Sequence, residues 1–286
     1  AERRYEDVKR ESAREADQGT IADVYSAYTA DLAARGKPIG RTQFAWKRLA
    51  PTFGALRPDQ VTRIVCRQYA KTRLNHGVTD GTIWTELGWL RTALNWSNPK
   101  TPAVIERPQK PPPKDRFLAK EEYRWLKNAA VSDHLRLFIV LGIATAGRKG
   151  AILGLTWDRI DFDRGQIDLG KGVGNKGRAV IPMTGNARED LTIAYDGRTC
   201  DHVIEYGGKA VAKIDKAFKR TVVRAGIGSC TPHDLRRSAA RWMAEAGQPM
   251  TAIAQYLGHS NTAQTEKVYA RYSPTFLAGA AEALDV

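Results

Sequence analysis

The stretch that most limits how this 286-residue chain can fold is NPKTPAVIERPQKPPPK, Asn98–Lys114. Five of its residues from Pro102 onward are proline. Proline lacks a backbone N–H and fixes φ, so this run cannot be a helix interior and favours an extended, semi-rigid connector. The residues on either side must then complete separate cores, and 286 residues suffice for two. Lys100, Arg107, Lys110 and Lys114 make the connector basic. It is either a plain spacer or a linker that lets two basic domains close around a duplex.

Before the connector, residues 1–19 are charged and show little apolar periodicity, as a solvated helix or a tail would. Thr20 reads as an N-cap with Asp23 at the third helical position. Ile21, Val24, Tyr25, Tyr28 and Leu32 form an apolar stripe that Gly36 ends. Further helices are expected over Arg41–Leu49, over Pro58–His76 with Val61, Ile64, Val65 and Tyr69 inward, and from Thr79 with Ile83, Leu87, Leu90 and Leu94 inward. Residues 20–97 thus read as a small all-helical domain. Its polar faces carry Arg41, Lys47, Arg48, Arg63, Arg67, Lys71, Arg73 and Arg91, either solvated surface or a phosphate-contacting face.

Residues 115–286 open with helices at Ala119–Ala129 and Asp133–Ala146, then a short helix from Arg148 to Leu155. The pattern changes to period two over Arg159–Phe162, Gln166–Leu169 and Arg178–Met183, which predicts three short strands. The turn GKGVGNKG between the last two carries Lys171 and Lys176. A strand-like piece at His202–Glu205 precedes a basic helix, Lys209–Ala225. A small apolar helix is expected over Thr275–Leu284. The fold class is therefore mainly α with a small antiparallel β-sheet.

The net charge is +14, and the first 100 residues hold 17 Lys and Arg against 11 Asp and Glu, so both halves carry the excess. That balance suits either a soluble basic protein or a polyanion partner, nucleic acid above all. No apolar run reaches the length of a membrane span, so no membrane partner is expected. Ala1–Thr20 is charged throughout and does not read as a signal peptide. Cys66, Cys200 and Cys230 make no metal spacing and no disulfide framework, which points to a reducing cytoplasm.

The chemistry concentrates in TPHDLRRSAARWMAEAGQPMTAIAQYLGHSNTAQTEKVYARY, Thr231–Tyr272, which holds two of the five histidines. His233 and Arg236 are three apart and share a helix face, His259 follows the Leu257-Gly258 step, and Tyr269 lies ten residues further on. Imidazole, guanidinium and phenol together suit a phosphodiester. The same stretch also reads as a helix-turn-helix with Ile253, Leu257 and Val268 in its core and Gly258 in the turn. That makes a non-catalytic DNA-binding regulator the alternative, although it leaves Arg148, the lysine turn and H-D-L-R unexplained.

Taken in order, T-A-G-R-K-G-A-I-L-G-L-T-W around Arg148, the lysine-bearing turn, H-D-L-R at 233–236, L-G-H-S at 257–260 and V-Y-A-R-Y-S-P around Tyr269 resemble the tyrosine recombinases of the phage-integrase kind. The resemblance covers residues 115–286; that to a core-binding domain over 20–97 rests on weaker motifs. It implies an N-terminal helical core-binding domain and a C-terminal α/β catalytic domain forming a C-shaped clamp around DNA. It implies Tyr269 as the nucleophile that leaves a 3′-phosphotyrosyl bond and expels a 5′-hydroxyl. Arg148 and Arg236 would clamp the phosphate, and a turn lysine, Lys176 or alternatively Lys171, would protonate the 5′-oxygen. His233 would assist as general base, and His259 would hydrogen-bond the phosphate. Arg41, Lys47, Arg48, Arg67, Lys71, Arg73 and Arg91 would contact the duplex. The implied partners are double-stranded DNA with specific recombination sites and a tetramer of this chain, and an accessory directionality or DNA-bending protein fits the same scheme. Integration or excision of a phage or other mobile element is the implied role, with chromosome-dimer resolution next to it; a type IB topoisomerase would use related chemistry alone. The setting would be the bacterial nucleoid or a phage-infected host. No cofactor is expected, since religation conserves the bond energy and neither a Walker motif nor an acidic metal cluster is present in the sequence.

Three positions depart from the family pattern. Ala151 stands where an acidic residue is usual. Tyr269 lies one residue further from His259 than the common spacing, which makes Tyr272 a competing nucleophile. The lysine turn is enlarged. The tail, 275–286, either folds back on its own domain or, as the resemblance implies, docks on a neighbouring protomer.

Overall fold

The computed structural model describes residues 19–112, 115–170, 172, 179–274, 276–278 and 281. The chain divides into two compact units, Ala1–Lys114 and Asp115–Val286. The expectations for residues 1–18, for most of the tail helix and for both turn lysines, Lys171 and Lys176, lie outside the described residues. Among the described residues no helix is long and apolar enough to cross a membrane.

The first unit is built from α1 (Ile21–Ala34), α2 (Gly40–Phe53), α3 (Arg63–Asn75) and α4 (Asp80–Ser97). Thr20 caps α1 as its sequence predicts: its N–H donates to Asp23 Oδ2 at 2.7 Å and Asp23 N–H returns a bond to its hydroxyl. Tyr25, Leu49, Phe53, Leu87, Leu90 and Leu94 close one core, with Tyr25 stacked on Trp46 at 4.5 Å. Helix α2 runs past the expected Leu49 to Phe53 although Pro51 in its last turn removes one backbone donor.

The third expected helix is two elements, a 3-10 turn at Pro58–Gln60 and α3, which starts at the N-cap Thr62. That start sets the helix phase by Cys66 and Tyr69, both buried. Ile64 lies out of phase with them and is 65% exposed, contrary to the inward placement expected for it. Glu86 on α4 is buried and accepts from Tyr69 Oη (2.7 Å), Arg73 Nε (3.0 Å) and Arg73 Nη2 (2.7 Å).

The proline-rich run holds no helix or strand among its described residues, as its composition requires, but it is not a free spacer there. Val104 N–H donates to Val61 O at 2.8 Å, Ala103 and Ile105 pack against the first core, and Arg67 pairs with Glu106 at 3.0 Å. Arg107 and Lys110 both lie over the Trp84 ring, at 4.1 and 5.2 Å from its centroid.

The second unit holds α5 (Lys120–Asn128), α6 (Asp133–Ala144) and α7 (Lys149–Leu153), then strands β1 (Ile160–Asp161), β2 (Gln166–Asp168) and β3 (Val180–Pro182). These form an antiparallel sheet in the order β1-β2-β3. Its register aligns Ile160, Ile167 and Ile181 across one face, and all three are buried. The period-two alternation is the sequence image of that row.

Helix α8 (Gly185–Asp196) follows, capped by Thr184, an element the apolar periodicity does not pick out. The expected helix Lys209–Ala225 begins late. Lys209–Ala210 (β5) instead pairs with Glu205–Tyr206 (β4) across Gly207 and Gly208, both at positive φ, and α9 covers only Asp215–Arg224. The strand-like piece at His202–Glu205 contributes one isolated bridge, His202 to Thr156, and the first residue of β4. Helices α10 (Pro232–Glu245), α11 (Met250–Leu257) and α12 (Ala263–Tyr269) and a 3-10 turn (Ala270–Tyr272) complete the described unit.

Helices α6 and α10 cross closely. A Cβ added at Gly142 would stand 2.5 Å from Leu235 Cδ1 and 3.2 Å from Leu235 Cβ. This crossing brings the end of α6, and Arg148 beyond it, to the start of α10.

Candidate active site

Helix α10 opens on Thr231, whose N–H and hydroxyl both donate to Asp234 Oδ2, at 2.8 and 2.7 Å. This cap, with Pro232 in the first turn, fixes the helix start from which His233 and Arg236 project. Arg236 is 5% exposed. Its Nη1 donates to Ala146 O (2.8 Å), and its Nη2 donates to Leu257 O (2.7 Å) and meets His259 Nε2 at 3.0 Å. Its partners among the described residues are thus two carbonyls and an imidazole rather than a carboxylate. Burial, then the neighbouring Arg148 charge, pushes its pKa down to about 10. Three bonds leave two of its five N–H groups for an anion.

One carbonyl belongs to a left-handed residue and the other directly precedes one. Ala146, buried, has φ 45°, a conformation disfavoured for any residue with a Cβ and characteristic of functional turns. The turn is braced by Gly147 N–H donating to Thr145 Oγ1 at 3.0 Å. Leu257 ends α11, and Gly258 (φ 62°) reverses the chain to deliver His259. The carbonyl end of a helix is electronegative, so the Arg236 cation sits well there.

Because guanidinium only donates, His259 Nε2 must accept, which places the ring proton on Nδ1 facing Thr265 Oγ1 at 2.8 Å. Burial, Arg236 and Arg148 all hold the His259 pKa below its ordinary value, consistent with a neutral ring. His233 is exposed on the first turn of α10. The protein packed around it, followed by Arg237 and Arg236, still lowers its pKa. Arg148, half-buried at the N-cap of α7, acts electrostatically on Arg236, His233 and His259 alike.

Tyr269 closes α12, 9% exposed, and packs with Ala146, Ala240, Ile253 and Leu257. Burial raises its pKa, and the Arg236 and Arg237 charges oppose that rise. Tyr272 differs: its Oη donates to Asp115 Oδ1 (3.1 Å) and accepts from Arg271 Nη2 (2.7 Å). Val268, which the helix-turn-helix reading puts in a core, is 40% exposed, whereas Ile253 and Leu257 are buried. The inward residues of α12 are Thr265 and Tyr269, so the pair α11–α12 presents its chemistry toward Arg236.

Arg148, His233, Arg236, His259 and Tyr269 are thus gathered at one place. Ala151 is buried, and beside it Lys149 pairs with Asp215 through two 2.8 Å contacts. In the first unit Arg41, Lys47, Arg48, Lys71 and Arg91 are exposed, with Arg48 over the Phe44 ring at 5.5 Å. Arg73 is turned inward onto Glu86, its side chain 14% exposed, and is not available as a surface phosphate donor. Arg67 is exposed and paired with Glu106. Sequence reasoning missed Thr265, which is fully buried and meets the Nδ1 of His259, and Ala146, whose backbone receives Arg236. A lone threonine and an alanine offer no motif by which to find them.

Such a site, anchored by a buried guanidinium and faced by a phenol, has the chemistry to receive an anion. Its architecture is that of DNA-bound integrases. The Tn1549 transposon integrase in complex with a circular intermediate DNA aligns over 93% of this chain and 99% of that one (TM-score 0.75, 18% identity). A lambda integrase dimer bound to a COC′ core site aligns over 86% and 97% (TM-score 0.71, 18% identity). Among curated proteins, a tyrosine recombinase XerC-like protein of Caldanaerobacter subterraneus subsp. tengcongensis is 22% identical over 277 residues, covering 79% of this chain and 71% of that protein. Tyrosine recombinase XerA of Thermococcus kodakarensis is 29% identical over 188 residues, covering 62% and 66%. The shufflon-specific DNA recombinase of Escherichia coli is 26% identical, covering 70% of this chain and 56% of that protein. The model of the phage integrase family matches residues 116–275, more than half of the chain. The chain belongs to the phage integrase family of tyrosine recombinases.

Proposed function

We propose that this protein is a site-specific DNA recombinase that breaks and rejoins DNA through a 3′-phosphotyrosyl intermediate. The observation that carries the proposal is Arg236: a guanidinium 5% exposed, held by carbonyls and an imidazole, with N–H groups left over, beside Arg148 and a buried phenol. Burying a cation this deeply is unfavourable unless an anion completes the site. A phosphodiester, chelated by Arg236 and Arg148 on its non-bridging oxygens, does so. The two guanidinia then stabilise the charge that builds up as phosphorus becomes five-coordinate.

In this reading Tyr269 Oη attacks phosphorus, forms the P–O bond and loses its proton, while the P–O5′ bond breaks. His233, kept unprotonated near neutral pH by its lowered pKa, is suited to accept that proton. His259, neutral with its Nε2 accepting from Arg236 and its Nδ1–H toward Thr265, holds the guanidinium that binds the phosphate; in this tautomer it has no N–H left to donate to the phosphate itself. Lys176, with Lys171 as the alternative, gives a proton to the leaving 5′-oxygen. Attack by a new 5′-hydroxyl reverses the steps. Tyr272 is the weaker nucleophile because its hydroxyl is already engaged by Asp115 and Arg271.

The exposed Arg41, Lys47, Arg48, Lys71 and Arg91 fit phosphate contacts of the first unit. The likeness to the Tn1549 transposon integrase supports a role with a phage or other mobile element, and the reading includes a tetramer of this chain acting on two duplexes. The test is capture of covalent complexes from a library of nicked duplexes of random sequence, denatured and sequenced. Wild type and Tyr272→Phe are expected to yield a covalent adduct on the recovered site, and Tyr269→Phe none. A Tyr269→Phe protein that still forms the adduct overturns the assignment. Specific binding of recovered duplexes with no adduct favours a DNA-binding regulator.

A further inference from the structure

One cluster in the second unit is left unused by phosphate binding. The Arg241 guanidinium on α10 lies between two rings, 3.3 Å from the Phe117 centroid and 4.1 Å from that of Tyr272. Its Nε donates to Glu245 Oε1 at 2.6 Å. On the edge of the same stack, Tyr272 Oη donates to Asp115 Oδ1 at 3.1 Å, Arg271 Nη2 donates to Asp115 Oδ2 at 2.8 Å, and Arg271 Nη2 donates to Tyr272 Oη at 2.7 Å. The turn that follows α12 is therefore hooked onto the first residue of the second unit.

The hook has a firm anchor. Leu118 N–H donates to Ser238 Oγ (2.7 Å), Trp242 Nε1 donates to Leu118 O (3.1 Å), and Arg116 Nε donates to Ser229 O (3.1 Å). Residues 116–118 are thus bolted to α10 and to the loop before it.

Helix α12 has only seven residues, too few to be stable alone, so the position of Tyr269 depends on what grips the helix at each end. Near its start the grip is Thr265 against His259. Beyond its end, three residues past Tyr269, it is Tyr272 against Asp115 and Arg241. The side chains of Asp115 and Arg271 are 65% and 55% exposed, so this pair adds little stability and acts mainly by fixing geometry.

We infer that Asp115 is a positioning residue: through Tyr272 and Arg271 it latches the end of α12 so that Tyr269 is held in line with the phosphate. The inference rests on Tyr269 being the nucleophile. In-line attack tolerates little displacement, and an error of about 1 Å lowers rates by about 100-fold.

The experiment uses the full chain and a nicked duplex of the sequence recovered by covalent capture. Asp115→Ala is expected to slow single-turnover adduct formation about two- to fivefold, the most that an exposed pair of this kind can hold, with unchanged duplex affinity and melting temperature. Asp115→Asn keeps one acceptor oxygen, for Arg271, and turns an N–H toward the Tyr272 hydroxyl, which can accept it, and is expected to recover most of the rate. Amide exchange across residues 263–272 is expected to accelerate in the alanine variant and not in the asparagine variant. Wild-type cleavage by Asp115→Ala overturns the latch. So does equal slowing by both variants with a lowered melting temperature, which marks a purely structural role. An adduct that survives in Tyr269→Phe overturns the nucleophile assignment instead, and a silent Tyr269→Phe beside an unimpaired Asp115→Ala removes the latch alone.

Discussion

Arg236 and His259 meet at 3.0 Å, Nη2 to Nε2, and that one contact fixes the imidazole as an acceptor. Both side chains serve the same corner. The guanidinium ties the turn after α6 to the end of α11, and the imidazole passes the tie on to Thr265 in α12.

A first prediction concerns pH. His259, His233 and His134 all have pKa values below the ordinary histidine value, with burial the largest cause for each. The unfolded chain therefore binds these protons first, at about pH 6.5. Stability from these groups is complete above that value and is lost as pH falls through their folded values. The urea midpoint is expected to drop between pH 7.5 and 5. His259→Gln, which keeps an acceptor for Arg236 but does not titrate, is expected to flatten that slope; an unchanged slope would count against the tautomer assigned here.

Anions form the second. If the Arg236 site takes a phosphate-like group, sulfate binds the folded state alone, and at ten times its dissociation constant it adds about 1.4 kcal/mol. Sulfate also stabilises proteins generally by exclusion from their surface. The informative quantity is thus the increment in melting temperature that disappears in Arg148→Ala relative to wild type.

Gly142 tests the helix crossing that brings the two arginines together. Its replacement by alanine puts a methyl group 3.2 Å from the Leu235 Cβ, which moves only with α10. Gly142→Ala is expected to lower stability by about 1–3 kcal/mol in urea unfolding. Adduct formation is expected to slow as well, since Leu235 adjoins Arg236.

In the first unit, Glu86→Ala leaves Arg73 and Tyr69 without their shared acceptor. Removing one member of a buried pair typically destabilises by about 3–5 kcal/mol. Amide exchange in α3 and α4 is expected to report the loss, with the second unit unaffected.

The cap of α10 gives a fifth expectation. Asp234→Ala removes both bonds from Thr231 and is expected to lower stability by about 1–2 kcal/mol. Fraying of the first turn would also show as faster exchange around His233.

Much of this was legible in the chain because it is local. The Thr20–Asp23 cap, the Ile160, Ile167 and Ile181 row and the Gly258 helix stop are patterns over a few residues, and period and backbone chemistry determine them. The β4–β5 hairpin was legible too, through Gly207-Gly208, a turn signal outweighed by the basic helical pattern around it. Ile64 was misplaced because its orientation depends on where α3 begins, one cap residue away.

The sequence by itself determined which chemistry is present: the order of Arg148, His233, Arg236, His259 and Tyr269, and the break between two cores. Only the tertiary structure decided how those groups are used. It buried Arg236 between two left-handed turns, set the His259 proton toward Thr265, turned Arg73 inward to Glu86, and occupied the hydroxyl of Tyr272 while Tyr269 faces the arginines. The physical reason is common to all four. Each depends on contacts between residues far apart in the chain, where burial and partner geometry, rather than residue type or spacing, fix charge state and orientation.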